Sequence, residues 1–160
     1  MIKNKIKTLK ELERLALKLK VRNKKIVTTN GVFDLLHAGH VSYLEKAKAL
    51  GDVLIVGINS DSSVKENKGD KRPINDENAR MKVIAALESV DYVFVFKEKV
   101  PNFWVEKIKP NIHAKAADYK LSQVIEKGIV EKNGGKIVLL PLEKGFSTTK
   151  IVEKILKIFS

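Results

Sequence analysis

Apolar segments alternate with amphipathic segments along the chain, and no other feature of the sequence limits the possible folds as strongly. The segment VLIVGI at 53–58 is almost entirely apolar, as expected for a strand that is buried on both faces. Four further strand-like runs lie at 25–29, 91–96, 111–115 and 136–140. Segments with helical spacing separate the strands, at 41–50, 75–89, 103–108, 121–132 and 148–158. This order predicts an α/β fold: a Rossmann-like, doubly wound, parallel five-stranded sheet in a single domain.

The first 24 residues carry one more amphipathic segment. Thr8 and Glu11 have the spacing of a capping box, and apolar residues then recur at helical intervals, at Leu9, Leu12, Leu15, Ala16 and Leu19. We therefore predict an N-terminal amphipathic helix within residues 1–24 that packs on the main domain at residues 25–160.

The composition excludes several classes of protein. The chain has 160 residues and no cysteine, so it holds neither disulfides nor cysteine-ligated zinc. It has no run of about 18 apolar residues that could span a membrane, and its charged N-terminus lacks the apolar core of a signal peptide. A cytoplasmic protein without membrane contacts is therefore expected.

The net charge of +12 suggests an anionic partner, such as nucleic acid, a membrane surface or phosphorylated metabolites. However, the lysines are spread along the chain, without the arginine-rich stripe or aromatic ladder that nucleic-acid-binding proteins use. A solvated, lysine-rich surface is the simpler interpretation, and nucleic acid is not favoured as a partner.

Polar segments follow the predicted strands at the point where each strand ends. They are TNGVFDLLHAGH at 29–40, NSD at 59–61, KAADY at 115–119 and EKGFSTT at 143–149. A further polar loop, KGDKRP, lies at 68–73, and Asn75 is predicted to cap the helix after it. Because ligands of doubly wound sheets bind beyond the carboxyl ends of the strands, these segments predict one site at that edge.

His37 and His40 are the most informative side chains of these segments. Histidine pairs that bind metal on one helix are usually four residues apart and need a third ligand, whereas these are three apart and His113 is the only other histidine. The alternatives are a helix start that happens to contain histidines and a phosphate cradle. In a cradle, backbone N–H groups at the helix N-terminus and two imidazole N–H donors would bind an anion.

GVFDLLHAGH resembles the signature Gly-x-Phe-Asp-x-x-His-x-Gly-His of the cytidylyltransferase-like nucleotidyltransferases. The run NSDSSVKENKGDKRPINDENARMKVIAALESVDYV and the segment GFSTTKIV extend the resemblance over nearly all of the chain after residue 25. These longer stretches are most similar to heptose 1-phosphate adenylyltransferases, often the second domain of a bifunctional kinase–adenylyltransferase. The sequence contains no kinase half, so the resemblance implies a stand-alone adenylyltransferase.

The resemblance implies roles for particular residues. His37 and His40 would hold the triphosphate of ATP and stabilise the transition state, and Lys68 would lie near the phosphates. The other residues implied in nucleotide binding are Val32, Phe33, Asp34, Gly39, Arg80, Ser147, Thr148 and Thr149. Those implied in binding the second substrate are Asp61, Lys115 and Asp118. No metal-binding side chains are implied, and Mg²⁺ is expected to accompany ATP.

The implied reaction transfers AMP from ATP to D-glycero-D-manno-heptose 1-phosphate and yields ADP-heptose and pyrophosphate for lipopolysaccharide core biosynthesis. The sugar phosphate is largely ionised near neutral pH, so the site must supply position and charge neutralisation rather than a general base. Other phosphate acceptors remain open, as in glycerol-3-phosphate cytidylyltransferases or FAD synthetases. A nucleic-acid-binding module and a non-catalytic nucleotide sensor are the alternatives of another class, and a homodimer is possible.

Two positions depart from the family patterns. Ala116 and Ala117 stand where heptose adenylyltransferases usually have two glycines, and alanine restricts positive φ and close backbone approach. Leu142 stands where glycerol-phosphate cytidylyltransferases have an arginine, which counts against that acceptor. His113 falls inside a predicted strand and is expected to be a packed structural histidine.

Overall fold

The computed structural model describes residues 1–118 and 120–159, so Tyr119 of the KAADY segment lies outside the described residues. Its centre is a parallel five-stranded sheet in the order β3-β2-β1-β4-β5. The strands are β1 (Ile26–Gly31), β2 (Val53–Asn59), β3 (Tyr92–Phe96), β4 (Ile112–Ala116) and β5 (Lys136–Leu140). The predicted doubly wound α/β fold is confirmed, and the strand order reverses between β1 and β4.

Helices cover both faces of the sheet. They are α1 (Leu9–Val21), α2 (Ala38–Lys48), α3 (Asp61–Lys68), α4 (Glu77–Ala85), α5 (Asn102–Ile108), α6 (Lys127–Lys132) and α7 (Thr148–Phe159). One buried cluster joins α2 and α4 to the sheet through Leu44 and Ile84, and a second joins α1 and α5 through Leu12 and Trp104. Among the described helices, none has the length and apolar character needed to cross a membrane.

The N-terminal helix forms as predicted and packs on the main body. Thr8 and Glu11 form the capping box, while Leu12 and Ala16 are buried. The segment before the helix runs beside β3, where Val93 accepts a hydrogen bond from Lys7 N–H and donates one to the Lys5 carbonyl. The division of the chain at residue 25 stays a prediction.

Two predicted boundaries near the histidines were wrong. Strand β1 ends at Gly31 rather than at Thr29, because Asn30 and Gly31 also pair with β2. Helix α2 begins at Ala38 rather than at residue 41, because His37 accepts the hydrogen bond that caps it. The histidines therefore stand at a helix start, directly beyond the carboxyl end of β1.

The structure differs from the sequence-based expectation at three other helices. Helix α3 was not predicted, because its residues are mainly polar and Val64 is its one buried apolar side chain. Asp76, not Asn75, caps α4. The predicted helix at 121–132 is broken: a 3₁₀ turn at Leu121–Gln123 precedes Val124, whose backbone is extended, and α6 starts only at Lys127.

Candidate active site

A cleft of about 680 Å³ opens at the carboxyl edge of the sheet, where β1 and β4 diverge. The backbone pairing of β1 with β4 ends at Thr28 and His113, whereas β1 pairs with β2 as far as Gly31. Most of the predicted site residues line this cleft: Val32, Phe33, Asp34, His37, Gly39, His40, Lys68, Lys115, Asp118, Ser147, Thr148 and Thr149. Arg80 and Asp61 do not line it. The cleft thus lies at the strand-order reversal, where doubly wound folds bind ligands.

The two histidines of the turn are stacked on each other. Their ring centroids are 3.7 Å apart, and the backbone N–H of His40 donates to Nδ1 of His37. Phe146 lies against the outer face of His37, with ring centroids 6.2 Å apart. A side chain at Gly39 would bring its Cβ within 3.0 Å of the Cβ of Phe146 and 3.1 Å of His37 Nδ1, so these neighbours would have to shift by a few tenths of an ångström to admit it.

Both histidines are uncharged near neutral pH. Burial, reinforced by the neighbouring His37, lowers the pKa of His40 to about 4. Burial also lowers the pKa of His37. Because Nδ1 of the neutral His37 accepts a hydrogen bond, its proton sits on Nε2. The pair therefore offers neutral N–H donors to a ligand, and not two positive charges.

Phe33 fixes the position of His40. It has a φ of +50°, a left-handed conformation that is unfavourable for a bulky residue. Its ring lies edge-on to His40 at 5.2 Å, and it occupies the space beside Gly31, where a Cβ would come within 2.9 Å of the ring. Backbone strain of this kind persists where packing over-determines it, commonly at functional sites.

Asp34 fastens the loop between α3 and α4 to the histidine turn. Its carboxylate accepts hydrogen bonds from Arg72 Nη1 at 2.8 Å and from the backbone N–H groups of Ile74 and Asn75 at 2.8 and 2.9 Å. The Asn75 side chain donates in turn to the Asp34 carbonyl. Burial alone would raise the pKa of Asp34, but these hydrogen bonds outweigh it and lower the pKa. Asp34 therefore orients the loop and has little capacity left for a ligand.

Arg80 holds together the backbone around the cleft and does not reach into it. Its guanidinium is buried and donates to the carbonyls of Asn75, Val32 and Asn59, and to the carboxylate of Asp61 at 2.8 Å. Arg80 and one carboxylate oxygen of Asp61 bind each other outside the lining of the cleft, and the contacts of Arg80 with phosphates and of Asp61 with substrate stay predictions. Both residues position the ends of β1 and β2.

The N-terminus of α7 forms the opposite side of the cleft. Ser147 Oγ accepts a hydrogen bond from the Lys150 N–H and caps the helix. Thr148 and Thr149 follow in the first turn and line the cleft. The first N–H groups of a helix have no partner inside it, so this end of α7 offers donors and a positive dipole end to an anion.

The backbone at the end of β4 holds Ala116 and Ala117 without strain. Among the described residues, those other than glycine with positive φ are Asn23, Phe33 and Lys109, so Ala116 and Ala117 carry no such strain. Ala116 continues the pairing of β4 with β5, and the Ala117 N–H donates to the Leu140 carbonyl. Of the two alanines, only Ala116 lines the cleft, where its methyl group contributes to the surface.

Three of the six charged side chains that line the cleft, Asp34, Arg72 and Lys115, are held in ion pairs. Arg72 pairs with Asp34, and Lys115 pairs with the buried carboxylate of Glu126 at 2.7 Å. In the part of the chain that the structure describes, Lys68 lines the cleft without an ion pair. No three His, Asp or Glu side chains of residues 1–118 and 120–159 converge on a possible metal site. An anion would therefore be bound chiefly by N–H donors.

Sequence reasoning missed several residues of the site. Phe146 lies within the quoted GFSTT segment, and its aromatic side chain beside a phosphate-binding pattern was an available signal. Glu126 had none, because a glutamate inside a predicted helix is usually solvated. His113 is packed as predicted: it is fully buried, its Nδ1 bonds Thr28 Oγ1 at 2.8 Å, and burial lowers its pKa to about 3.

The chain is similar to known proteins over most of its length. The chain is 48% identical to the bifunctional protein HldE of Geobacter metallireducens over 97% of its length, and 50% identical to HldE of Campylobacter jejuni subsp. jejuni over 93%. It spans about a third of the length of these curated relatives, 32% in both cases.

Solved structures show the same fold. A lipopolysaccharide core biosynthesis protein from Thermoplasma volcanium superposes with a TM-score of 0.64 at 33% identity, over 77% of this chain and 99% of that one. Pantoate-beta-alanine ligase from Francisella tularensis superposes with a TM-score of 0.62 at 22% identity, over 95% and 77% of the two chains, and supports the fold alone. The cytidylyltransferase-like family model matches residues 28–154, which include the cleft's histidine turn and the start of α7. The chain therefore belongs to the cytidylyltransferase-like family.

Proposed function

We propose that the chain is an adenylyltransferase that transfers AMP from ATP to D-glycero-D-manno-heptose 1-phosphate, yielding ADP-heptose and pyrophosphate for lipopolysaccharide core biosynthesis. The observation that carries this proposal is the cleft in which the stacked histidines face the N-terminus of α7. The similarity to HldE over 97% of the chain supports the choice of substrates. The similarity to a lipopolysaccharide core biosynthesis protein supports the pathway.

The donors around the cleft suit a triphosphate. The imidazoles of His37 and His40 and the first N–H groups of α7 at Thr148 and Thr149 would bind phosphate oxygens, and Lys68 would add one positive charge. Val32 and Phe33 would contribute backbone N–H groups. Because packing and the cap of α2 already fix the two histidines, these donors need no reorganisation as charge shifts during the reaction.

The reaction needs no general base. An ionised oxygen of the sugar 1-phosphate attacks the α-phosphorus of ATP, a new P–O bond forms, and the bond to the β-phosphate oxygen breaks as pyrophosphate leaves. Neutral histidines are suited to this step, because they donate hydrogen bonds to the developing charge and need not accept a proton. The enzyme contributes position and stabilisation of the phosphoryl group.

Other residues that line the cleft suit the adenine ring of ATP and the hydroxyl groups of a sugar. Leu142 and Phe146 are each 46% exposed and, together with Ala116, give the β4–β5 side of the cleft an apolar surface that suits a purine. The carboxylate of Asp118 lines the same cleft and can accept hydrogen bonds from hydroxyl groups. Lys115 contacts Asn30 and Glu126, so we assign it to the wall of the cleft.

Mg²⁺ belongs to this proposal as part of the substrate. The described residues form no metal cage, and the carboxylate of Asp34 is already hydrogen-bonded to Arg72 and two backbone N–H groups. Mg²⁺ usually binds substrate phosphates and water with few protein ligands. We therefore expect it to arrive on the phosphates of ATP.

The location and assembly of the protein are also proposals. The use of ATP favours the cytoplasm. A homodimer is supported by α7, whose apolar residues Ile155, Leu156, Ile158 and Phe159 are 48 to 83% exposed. Sedimentation equilibrium tests the assembly directly, and a monomer at micromolar concentration would contradict the dimer.

Pyrophosphate release tests the function. Purified protein is assayed with ATP or CTP against heptose 1-phosphate, glycerol 3-phosphate and flavin mononucleotide, and ADP-heptose is identified by mass spectrometry. We expect turnover with ATP and heptose 1-phosphate to exceed all other pairs. Turnover with another pair and none with this one would contradict the proposal, while ATP binding without any turnover would indicate a nucleotide sensor.

A further inference from the structure

Side chains replace backbone pairing where β1 and β4 diverge. After the last backbone pair, Thr28 with His113, Thr29 Oγ1 donates to the Ala114 carbonyl at 3.0 Å. One residue further along each strand, Lys115 Nζ donates to Asn30 Oδ1 at 3.2 Å. These contacts span the gap at the floor of the cleft, so they set the separation of the two strand ends there.

Glu126 completes this bridge from the other side. It lies directly before α6, is only 3% exposed, and accepts a hydrogen bond from Lys115 Nζ at 2.7 Å. The break in the helix predicted at 121–132 is what lets Glu126 turn inwards, since the chain is extended at Val124. The contact therefore ties the loop after β4, which carries Asp118, to the ends of β1 and β4.

The ion pair of Lys115 with Glu126 also neutralises the positive charge of Lys115 at the floor of the cleft. The side chains of Lys115 and Glu126 are 13% and 5% exposed, so solvent screens them little. With its ammonium group held by Glu126, Lys115 is poorly placed to bind a phosphate. Removing one partner would leave the other charge buried without compensation, which is far less favourable than removing both.

We propose that Glu126 is a positioning residue, which acts through Lys115 and Asn30 to set the width of the cleft at the divergence of β1 and β4 and to hold the Asp118 loop. This inference rests on the proposed function only for its kinetic test. Its consequence is that Lys115 serves as part of the wall, and its charge takes no part in binding phosphate.

A double-mutant cycle tests the proposal. Lys115→Met, Glu126→Leu and the double variant are compared for kcat and for the KM of ATP and of heptose 1-phosphate. We expect each single variant to raise at least one KM about tenfold with kcat within about twofold, and the double variant to be no worse than the poorer single one. Glu126→Gln, which keeps a hydrogen-bond acceptor for Lys115 but loses the negative charge, should lie between the unaltered protein and Glu126→Leu.

Glu131→Gln is the matched control. Glu131 pairs with Lys127 at 3.9 Å on the exposed face of α6, and their side chains are 54% and 42% exposed, so the kinetics of Glu131→Gln should not change. A loss of kcat of about a hundredfold in Lys115→Met alone, with Glu126→Leu unchanged, would overturn the proposal, because Lys115 would then contact the reacting phosphates. Equal and additive losses in the two single variants would overturn it as well.

A binding measurement separates this proposal from the proposed function. The same cycle is run by calorimetry with α,β-methylene ATP, which binds without reaction. If the unaltered protein binds this analogue but turns over no acceptor, the proposed function fails, and the cycle in Kd still decides the role of Glu126. Thermal unfolding checks each variant, and Glu126→Gln replaces Glu126→Leu, and Lys115→Gln replaces Lys115→Met, in the cycle if the first choice is unfolded at the assay temperature.

Discussion

The two walls of the cleft are held in place by different forces. The wall formed by residues 61–85 is fastened to β1 and β2 by the buried hydrogen bonds of Asp34 and Arg80. The wall formed by residues 141–159 ends in α7, none of whose residues is buried, and contacts α2 through Phe146 and a Glu143–Ser42 hydrogen bond. Changes in the first wall should therefore affect stability and activity together, whereas changes in the second should affect activity alone.

The largest effect is expected from Arg80→Met. This change leaves the carbonyls of Val32, Asn59 and Asn75 and the Asp61 carboxylate without their donor, and each unsatisfied buried group costs about 1–3 kcal/mol. We expect the free energy of unfolding, measured in urea, to fall by about 4 kcal/mol or more.

Lys82→Met is the matched control for Arg80, since Lys82 is exposed on the same helix. Its free energy of unfolding should change by less than about 0.5 kcal/mol. A similar small change in Arg80→Met would mean that the first wall does not depend on this guanidinium.

His40→Ala sharpens the comparison, because His40 lies between the walls and belongs to neither. Removing one donor to the transition state typically lowers kcat by about a hundredfold or more. We expect that loss at saturating ATP, with cooperative unfolding retained. His113→Gln should show the opposite pattern, reduced stability with nearly unchanged kcat, because His113 is packed away from the cleft. Near-normal turnover of His40→Ala would reduce the histidine pair to a structural role.

The pH dependence of stability in Asp34→Asn distinguishes the contribution of Asp34, in the first wall, from that of the histidines. The pKa of Asp34 is below its ordinary value of 3.8, so the unfolded chain binds its proton first, and the stability due to Asp34 is lost as pH falls below about 4. His40, with a pKa lowered from 6.5 to about 4, causes a separate loss of stability between those values.

We expect urea unfolding of Asp34→Asn to give about 2 kcal/mol less stability at pH 7. Between pH 7 and 5 its profile should run parallel to that of the unaltered protein, and the two should converge below pH 4. A constant difference down to pH 3 would show that the Asp34 carboxylate does not hold the loop as an ion.

The fold and part of the site could be predicted because their signals are local. The periodicity of strands and helices predicts the five-stranded sheet. Ser147 marks the start of α7, because it caps the helix through the N–H of Lys150, three residues further on. The roles of Arg80, Asp61 and Glu126 could not be predicted, because their partners lie far along the chain: Glu126 meets a lysine on a strand, and Arg80 meets carbonyls at two strand ends. Helix α3 was missed because it buries little apolar surface.

Ser147→Ala is expected to have the smallest effect on stability and therefore gives the most sensitive test of the second wall. The loss of a helix cap typically costs about 1 kcal/mol, but here the cost falls on α7, which can fray at its start while the core stays folded. Global unfolding in urea should shift by less than about 0.5 kcal/mol, whereas the KM for ATP should rise about fivefold because the phosphate-binding N–H groups lose their fixed direction. Ser62→Ala is the control, since Ser62 lies on α3 and not in the cleft. An unchanged KM together with a clear loss of global stability would show that α7 belongs to the core and that the two walls are held alike.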